Sequence, residues 1–138
     1  MTTRKSGFSL IEVLVVVAII GILSVVGLVS YKGYISASKR SAVKSAMQTI
    51  SLAQSEYYSN EGSYYIQDEE ETPQCATNQT RSDNIETNLM GGGDVITAGV
   101  GYQMCIQTKG AGFKIVATTG EGDNMITITL DYNGTWEE

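Results

Sequence analysis

Eighteen consecutive residues, Val13 to Ser30, carry neither a charge nor a proline. As an α-helix rising about 1.5 Å per residue, such a run covers most of a bilayer core of ~30 Å, so it is long enough to span one. A chain of 138 residues has no core large enough to surround it, and one anchor plus one modest domain is the economical organisation. Arg4 and Lys5 precede the run, which keeps the N-terminus cytoplasmic and places everything after Tyr31 across the membrane. Glu12 spoils the run as a plain anchor. A charge at the centre of such a helix costs roughly 2.5–3.5 kcal/mol, less near an end, and usually has a partner or a function.

Beyond the apolar run the composition changes to Gly, Thr, Asn, Asp and Glu. Without residues 1–7 the chain holds 7 basic and 15 acidic residues, net −8, which disfavours nucleic acid and anionic lipid as general partners. There is no His, so His-dependent catalysis and the common zinc spacings are excluded. GxGxxG and Walker A spacings are also missing, and no nucleophile has a base. No enzymatic activity, cofactor or metal is expected. Cys75 and Cys105 read most simply as a disulfide formed in an oxidising compartment, the alternative being two unrelated buried thiols.

Three readings compete for the N-terminus. A cleaved signal peptide has a shorter apolar stretch, and here the helical pattern runs straight through the small residues Ser36, Ala37 and Ser38. A simple uncleaved anchor leaves Glu12 without a purpose. The combination Gly7, Phe8 and Glu12, with a short basic leader before and an aliphatic helix after, closely resembles the class III signal of type IV pilins. The resemblance implies that a prepilin peptidase cuts between Gly7 and Phe8 and N-methylates Phe8, leaving the helix in place. It further implies that the Glu12 carboxylate pairs with the N-terminal amine of a neighbouring subunit, acting as a register key for assembly. Many relatives carry a proline in the second half of the run. This chain has Val29 in that neighbourhood, and Gly21 and Gly27 are the points from which local melting in a filament would start.

The helix continues past Tyr34 with an apolar stripe at Val43, Ala46, Met47, Ile50, Ala53 and Tyr57, and with Lys39, Arg40, Lys44, Gln48 and Gln54 expected on the opposite side. One helix from Phe8 to about Tyr58, ending at Asn60 to Gly62, is predicted; the alternative breaks it with a turn at Gly33. Residues 66–94 read as a polar connecting loop. Three alternating runs follow, with Tyr102, Met104 and Ile106, then Phe113, Ile115 and Ala117, then Ile126, Ile128 and Leu130 on single faces, predicting half-buried antiparallel strands. "KGAG" and "GEGDN" supply turns, and Asn133-Gly134 suits a type I′ turn. The fold class is α+β: a long N-terminal helix, apolar then amphipathic, packed on a small antiparallel sheet, as the pilin resemblance also implies. Expected domains are the leader 1–7, the membrane and assembly helix 8–34, and a globular head 35–138. A Cys75–Cys105 link resembles those of pilin heads, though its placement differs from subunits whose disulfide closes a C-terminal loop.

Lesser motifs have plainer readings beside them. Asp68 to Glu71 reads as solvated surface before it reads as a cation site, and Glu121, Asp123 and Asn124 as a turn before a calcium site. Asn78-Gln79-Thr80 and Asn133-Gly134-Thr135 match the glycan acceptor pattern where turns are wanted anyway. The resemblance, strong over the first sixty residues and only of layout beyond, implies a structural subunit of a type IV pilus. It would be held in the inner membrane with its head in the periplasm, then packed into an extracellular filament. Expected partners are other pilin subunits, the prepilin peptidase and the inner-membrane assembly platform; adhesion, twitching motility and DNA uptake are the family's activities. The alternatives are a type II secretion pseudopilin and a DNA-binding minor pilin, the latter opposed by only Arg81, Lys109 and Lys114 against twelve acids from Ile66 onward.

Overall fold

A computed structural model describes residues 7–96, 100–120 and 125–138. In order these form helix α1 (Leu10–Glu61), helix α2 (Gln79–Leu89) and strands β1 (Gln103–Lys109), β2 (Gly112–Thr119), β3 (Ile126–Asp131) and β4 (Trp136–Glu137). The strands make one antiparallel sheet in sequence order, β1-β2-β3-β4. The chain divides into two compact units, residues 1–38 and 39–138. Helix α1 passes unbroken through Gly33, so no turn separates its two halves. It stops at Gly62, which takes φ 76° and donates its N–H to the Tyr58 carbonyl at 2.8 Å, the left-handed exit that glycine makes without strain.

In the second unit Val43, Ala46, Met47 and Ile50 of α1 are buried against the sheet, as their spacing requires. Gln54 overturns part of the expected polar face. It lies four residues beyond Ile50, hence on the same stripe, and is fully buried. Its amide serves as a backbone surrogate: Nε2 donates to the Tyr65 carbonyl at 2.7 Å and Oε1 accepts the Tyr65 N–H at 2.9 Å. The chain leaving α1 is thereby tied back to the helix, where Tyr57 and Tyr65 meet edge to face with centroids 5.8 Å apart.

The sheet's helix-facing rows are Ile106, Ile115 and Leu130, and Met104, Ala117 and Ile128, set side by side by the strand register. All six are buried. The expectation of half-buried strands fails at the centre, because Cys105, Gln107 and Val116 on the other face are buried as well. Cys75 covers them: its sulfur is bonded to that of Cys105, with Cα atoms 6.3 Å apart, and Gln107 accepts the Cys75 N–H at 2.7 Å while donating to the Glu71 carbonyl at 2.7 Å. The same connecting segment closes the outer edge of β1. Gln67 N–H donates to the Ile106 carbonyl at 2.9 Å, Gln67 Oε1 accepts the Ile106 N–H at 3.2 Å, and Asp68 accepts the Thr108 N–H at 2.9 Å. An edge so covered offers no row of free backbone groups to another chain.

Residues 66–94, expected as loop, contain α2. Asn78 caps it, accepting the Arg81 N–H at 2.8 Å. Its inward positions, Ser82, Ile85 and Glu86, follow helical spacing, but only one is aliphatic, so no apolar period betrays the helix. Ser82 Oγ accepts the Met104 N–H at 2.9 Å, and buried Glu86 accepts the N–H groups of Val95 and Ile96 at 2.8 and 2.5 Å. A second correction concerns the last hairpin. Asp131 N–H donates to the Thr135 carbonyl at 3.0 Å across a three-residue loop, and only Gly134 is left-handed, at φ 85°. A type I′ turn needs positive φ at Asn133 too, so this is the three-residue loop with glycine in the bulge position. Beyond β4, Glu138 meets Lys44 and, at 3.4 Å, Arg40. The Lys44 hydrogen bond, opposed by desolvation and aided by both positive charges, holds its carboxyl below the usual range, so this link lets go as pH falls through that lowered value.

Gln54→Ala strands both Tyr65 backbone groups and is expected to cost about 1–3 kcal/mol, roughly 4–8 °C of melting temperature per kcal/mol for a domain this size. Gln48→Ala, on the exposed face, should leave melting of the detergent-solubilised chain unchanged; equal effects would contradict the assignment. Closure of the 30-residue separation between the cysteines accounts for roughly 2–4 kcal/mol, so a Cys75→Ser, Cys105→Ser chain should show that loss in a urea titration.

Candidate functional site

The first unit presents chemistry of one kind. From Phe8, 89% exposed, and Leu10, 84% exposed, through Leu28, the large apolar side chains of the helix are open on every side. α1 is long and apolar enough to cross a membrane by length and composition. Within this surface Phe8, Ile11, Val15 and Val16 surround the one carboxylate, Glu12.

Glu12 has a partner in its own chain. Its Oε2 accepts the Ser9 N–H at 2.7 Å, while the Ser9 carbonyl accepts the N–H groups of Glu12 and Val13 at 3.1 and 3.3 Å. This is the glutamate half of a capping box, with Ser9 at the N-cap and Glu12 at the third helical position. It explains why α1 starts at Leu10 and not at Phe8: Ser9 is the cap. Ser-x-x-Glu before an apolar run is a readable signature that the sequence reading passed over. The carboxylate also sits at the N-terminal, positive end of the helix dipole.

Among the described residues, a Cβ built on Gly7 meets nothing within 4 Å, and its φ is not left-handed. Gly21, Gly27 and Gly33 are equally unconstrained, and α1 is continuous through all three.

The remaining sequence candidates are occupied by structural duties. Asp68 pairs with Arg81 at 3.3 Å, and Glu71 accepts the Gly110 N–H at the β1–β2 turn. Among the described residues no group of three His, Cys, Asp or Glu side chains is placed to hold a metal ion. Glu121, Asp123 and Asn124 lie outside the described residues. Of the three basic residues from Ile66 onward, too few for a nucleic-acid surface, Arg81 is committed to Asp68, and Lys114 is set in register with Asp131. The side chains whose duty was missed in sequence are the buried amides Gln54 and Gln107 and the half-buried amide Gln67, whose only signal is an uncharged polar residue at an inward position.

Comparison with known proteins reports on the first unit. Residues 2–28 match the family model of the prokaryotic N-terminal methylation motif. No curated protein and no solved structure matches the chain. The matched segment contains Gly7, Phe8, Ser9 and Glu12 together, and it indicates a structural, pilin-type role in place of an enzymatic one. With its apolar helix, the motif fits a protein anchored in the inner membrane and assembled with other subunits of its kind. The motif at residues 2–28 thus supports a type IV pilin-like prepilin protein, of the pilin or pseudopilin kind.

Proposed function

We propose that the chain is a structural subunit of a type IV pilus. In this reading a prepilin peptidase removes residues 1–7 and N-methylates Phe8. Residues 8–34 then hold the subunit in the inner membrane, with residues 35–138 as its periplasmic head, until the apolar helix is packed among its copies in an extracellular filament. The observation that carries the reading is the methylation motif set on a helix whose apolar side chains, among the described residues, are exposed from Phe8 to Leu28. Gly7 fits it: a peptidase needs close backbone approach at its cleavage point, and among the described residues nothing lies within 4 Å of a Cβ built there.

Glu12 has a role in both states. In the single subunit, the Ser9 N–H offsets part of the cost of a carboxylate in apolar surroundings. On assembly the N-terminal amine of a neighbour supplies an opposite charge, and a misplaced neighbour leaves the carboxylate uncompensated. The residue penalises wrong register more than it strengthens the right one. The disulfide supports the export step, since such bonds persist in oxidising compartments.

Two substitutions separate these roles. Gly7→Ser should leave the melting of the folded unit untouched while the chain accumulates at its full 138-residue length in the membrane fraction. Glu12→Gln should be cleaved normally, yet its recovery in filaments sheared from cells should fall by roughly tenfold or more, tenfold being the factor that about 1.4 kcal/mol of lost charge pairing gives. Normal recovery of Glu12→Gln in filaments would contradict the register role. Normal processing of Gly7→Ser would contradict the peptidase reading.

A further inference from the structure

Charge is segregated along the part of α1 that belongs to the second unit. Residues 39–44 hold three cations, Lys39, Arg40 and Lys44, residues 56–61 hold the carboxylates Glu56 and Glu61, and residues 45–55 between them carry no charge. The acidic end runs against the helix dipole, which is negative there and favours a cation. α1 has no basic residue in its last turn, and neither Glu56 nor Glu61 has an ion pair among the described residues. At the basic end Arg40 and Lys44 meet Glu138, while Lys39 is exposed and has no ion pair among the described residues. Each end therefore keeps an unanswered charge, and the two are of opposite sign.

They cannot answer each other within one chain. Glu56 lies 17 residues beyond Lys39 on a continuous helix, about 25 Å along its axis, well past the screening length of ~8 Å in physiological salt. A second copy can supply the missing charge. Between the two ends the solvent side of α1 is made of Ser45, Gln48, Thr49, Leu52 and Ser55, all exposed. Among the described residues Leu52, at 73%, is the most exposed large apolar side chain of the second unit, and Glu56 follows it by four residues on the same face.

We propose that this face receives a second, parallel copy of the chain, displaced along the helix axis by about 25 Å, so that Lys39 of one copy pairs with Glu56 of the next. The apolar run sets every copy in the same direction and excludes the antiparallel match, a step that rests on the filament reading above. The same displacement brings Lys44 level with Glu61, also 17 residues further on. Leu52 adds apolar area to the contact, and the opposite charges fix its register. Because the two patches differ, every copy offers one of them to each of two neighbours. Such a heterologous contact propagates as an open row where a self-complementary one would close into a pair.

A charge exchange tests the pairing in cells whose sole copy of the chain is the variant, with filaments recovered by shearing. Lys39→Glu and Glu56→Lys each alter an exposed side chain, so the melting of the detergent-solubilised chain should stay that of the parent. Each alone sets like charges together and should lower recovery in filaments roughly tenfold. The double variant, with the charges exchanged, should restore it, and since the two positions cannot meet within one chain the rescue can act only between copies. Undiminished recovery of both single variants overturns the pairing and leaves the pilus reading standing. So does a double variant no better than the single ones, or a loss confined to Lys39→Glu, which would give that cation another partner such as a lipid phosphate. Absence of the unaltered, processed chain from sheared filaments overturns the pairing and the pilus reading together.

Discussion

An apolar helix that its own chain leaves uncovered is the constraint on which everything else depends. Each large side chain from Leu10 to Leu28 stands open, and complete burial of one such side chain is worth roughly 1.5–3 kcal/mol. Summed along the run, the exposed surface outweighs the ~5–15 kcal/mol stability of a typical domain, so the segment is never at rest in water. Lipid satisfies it, and so do copies of itself. Between those two there is little hydrophobic preference, because lipid tails are as apolar as leucine, and the choice passes to packing and to polar groups. Glu12 is the polar group available. Its Oε2 bond to the Ser9 N–H lowers the cost of keeping it in an apolar setting and leaves Oε1 for a partner from elsewhere.

The second unit solves a different problem, that of building a core from a short sheet and half a helix. The apolar stripe of α1 and the two cross-strand rows supply the core, but the connecting residues 66–96 have few apolar side chains of their own. They are held by side chains that imitate backbone. Gln54 pairs with Tyr65 as a strand neighbour would, Gln67 closes the edge of β1, Gln107 binds three backbone groups, and Glu86 gathers the Val95 and Ile96 amides. The disulfide then fixes Cys75 over the far face of the sheet. Polar groups fully satisfied in this way give one arrangement of the loop, where apolar contacts alone would tolerate several.

Period and punctuation explain what was legible in the sequence. The stripe Val43, Ala46, Met47, Ile50 appears in the structure as read, and so do the inward rows of β1, β2 and β3 except Ile126, which is exposed at the start of β3. The burial of the far face at the centre of the sheet left no such period. Gly62 and Gly110 end their elements because only glycine enters the left-handed region freely. Helix α2 was illegible because two of its three inward residues, Ser82 and Glu86, are polar, and Gln54 was misplaced for the same reason. Inward polar residues make sense only against the backbone groups they satisfy, and those come from distant sequence. At the N-terminus the four residues Gly7, Phe8, Ser9 and Glu12 were all visible, but the local half of Glu12's task, the cap on Ser9, emerges only from geometry.

The central claim is that the uncovered helix of this chain is made for a filament, and the intact mass of protein sheared from the surface of cells tests it most directly. The expected mass is that of a chain lacking Met1 to Gly7, with one added methyl group on Phe8 and without the two hydrogens lost in joining Cys75 to Cys105. Recovery of the processed chain in the membrane fraction alone, with none in the sheared filaments, would contradict the claim.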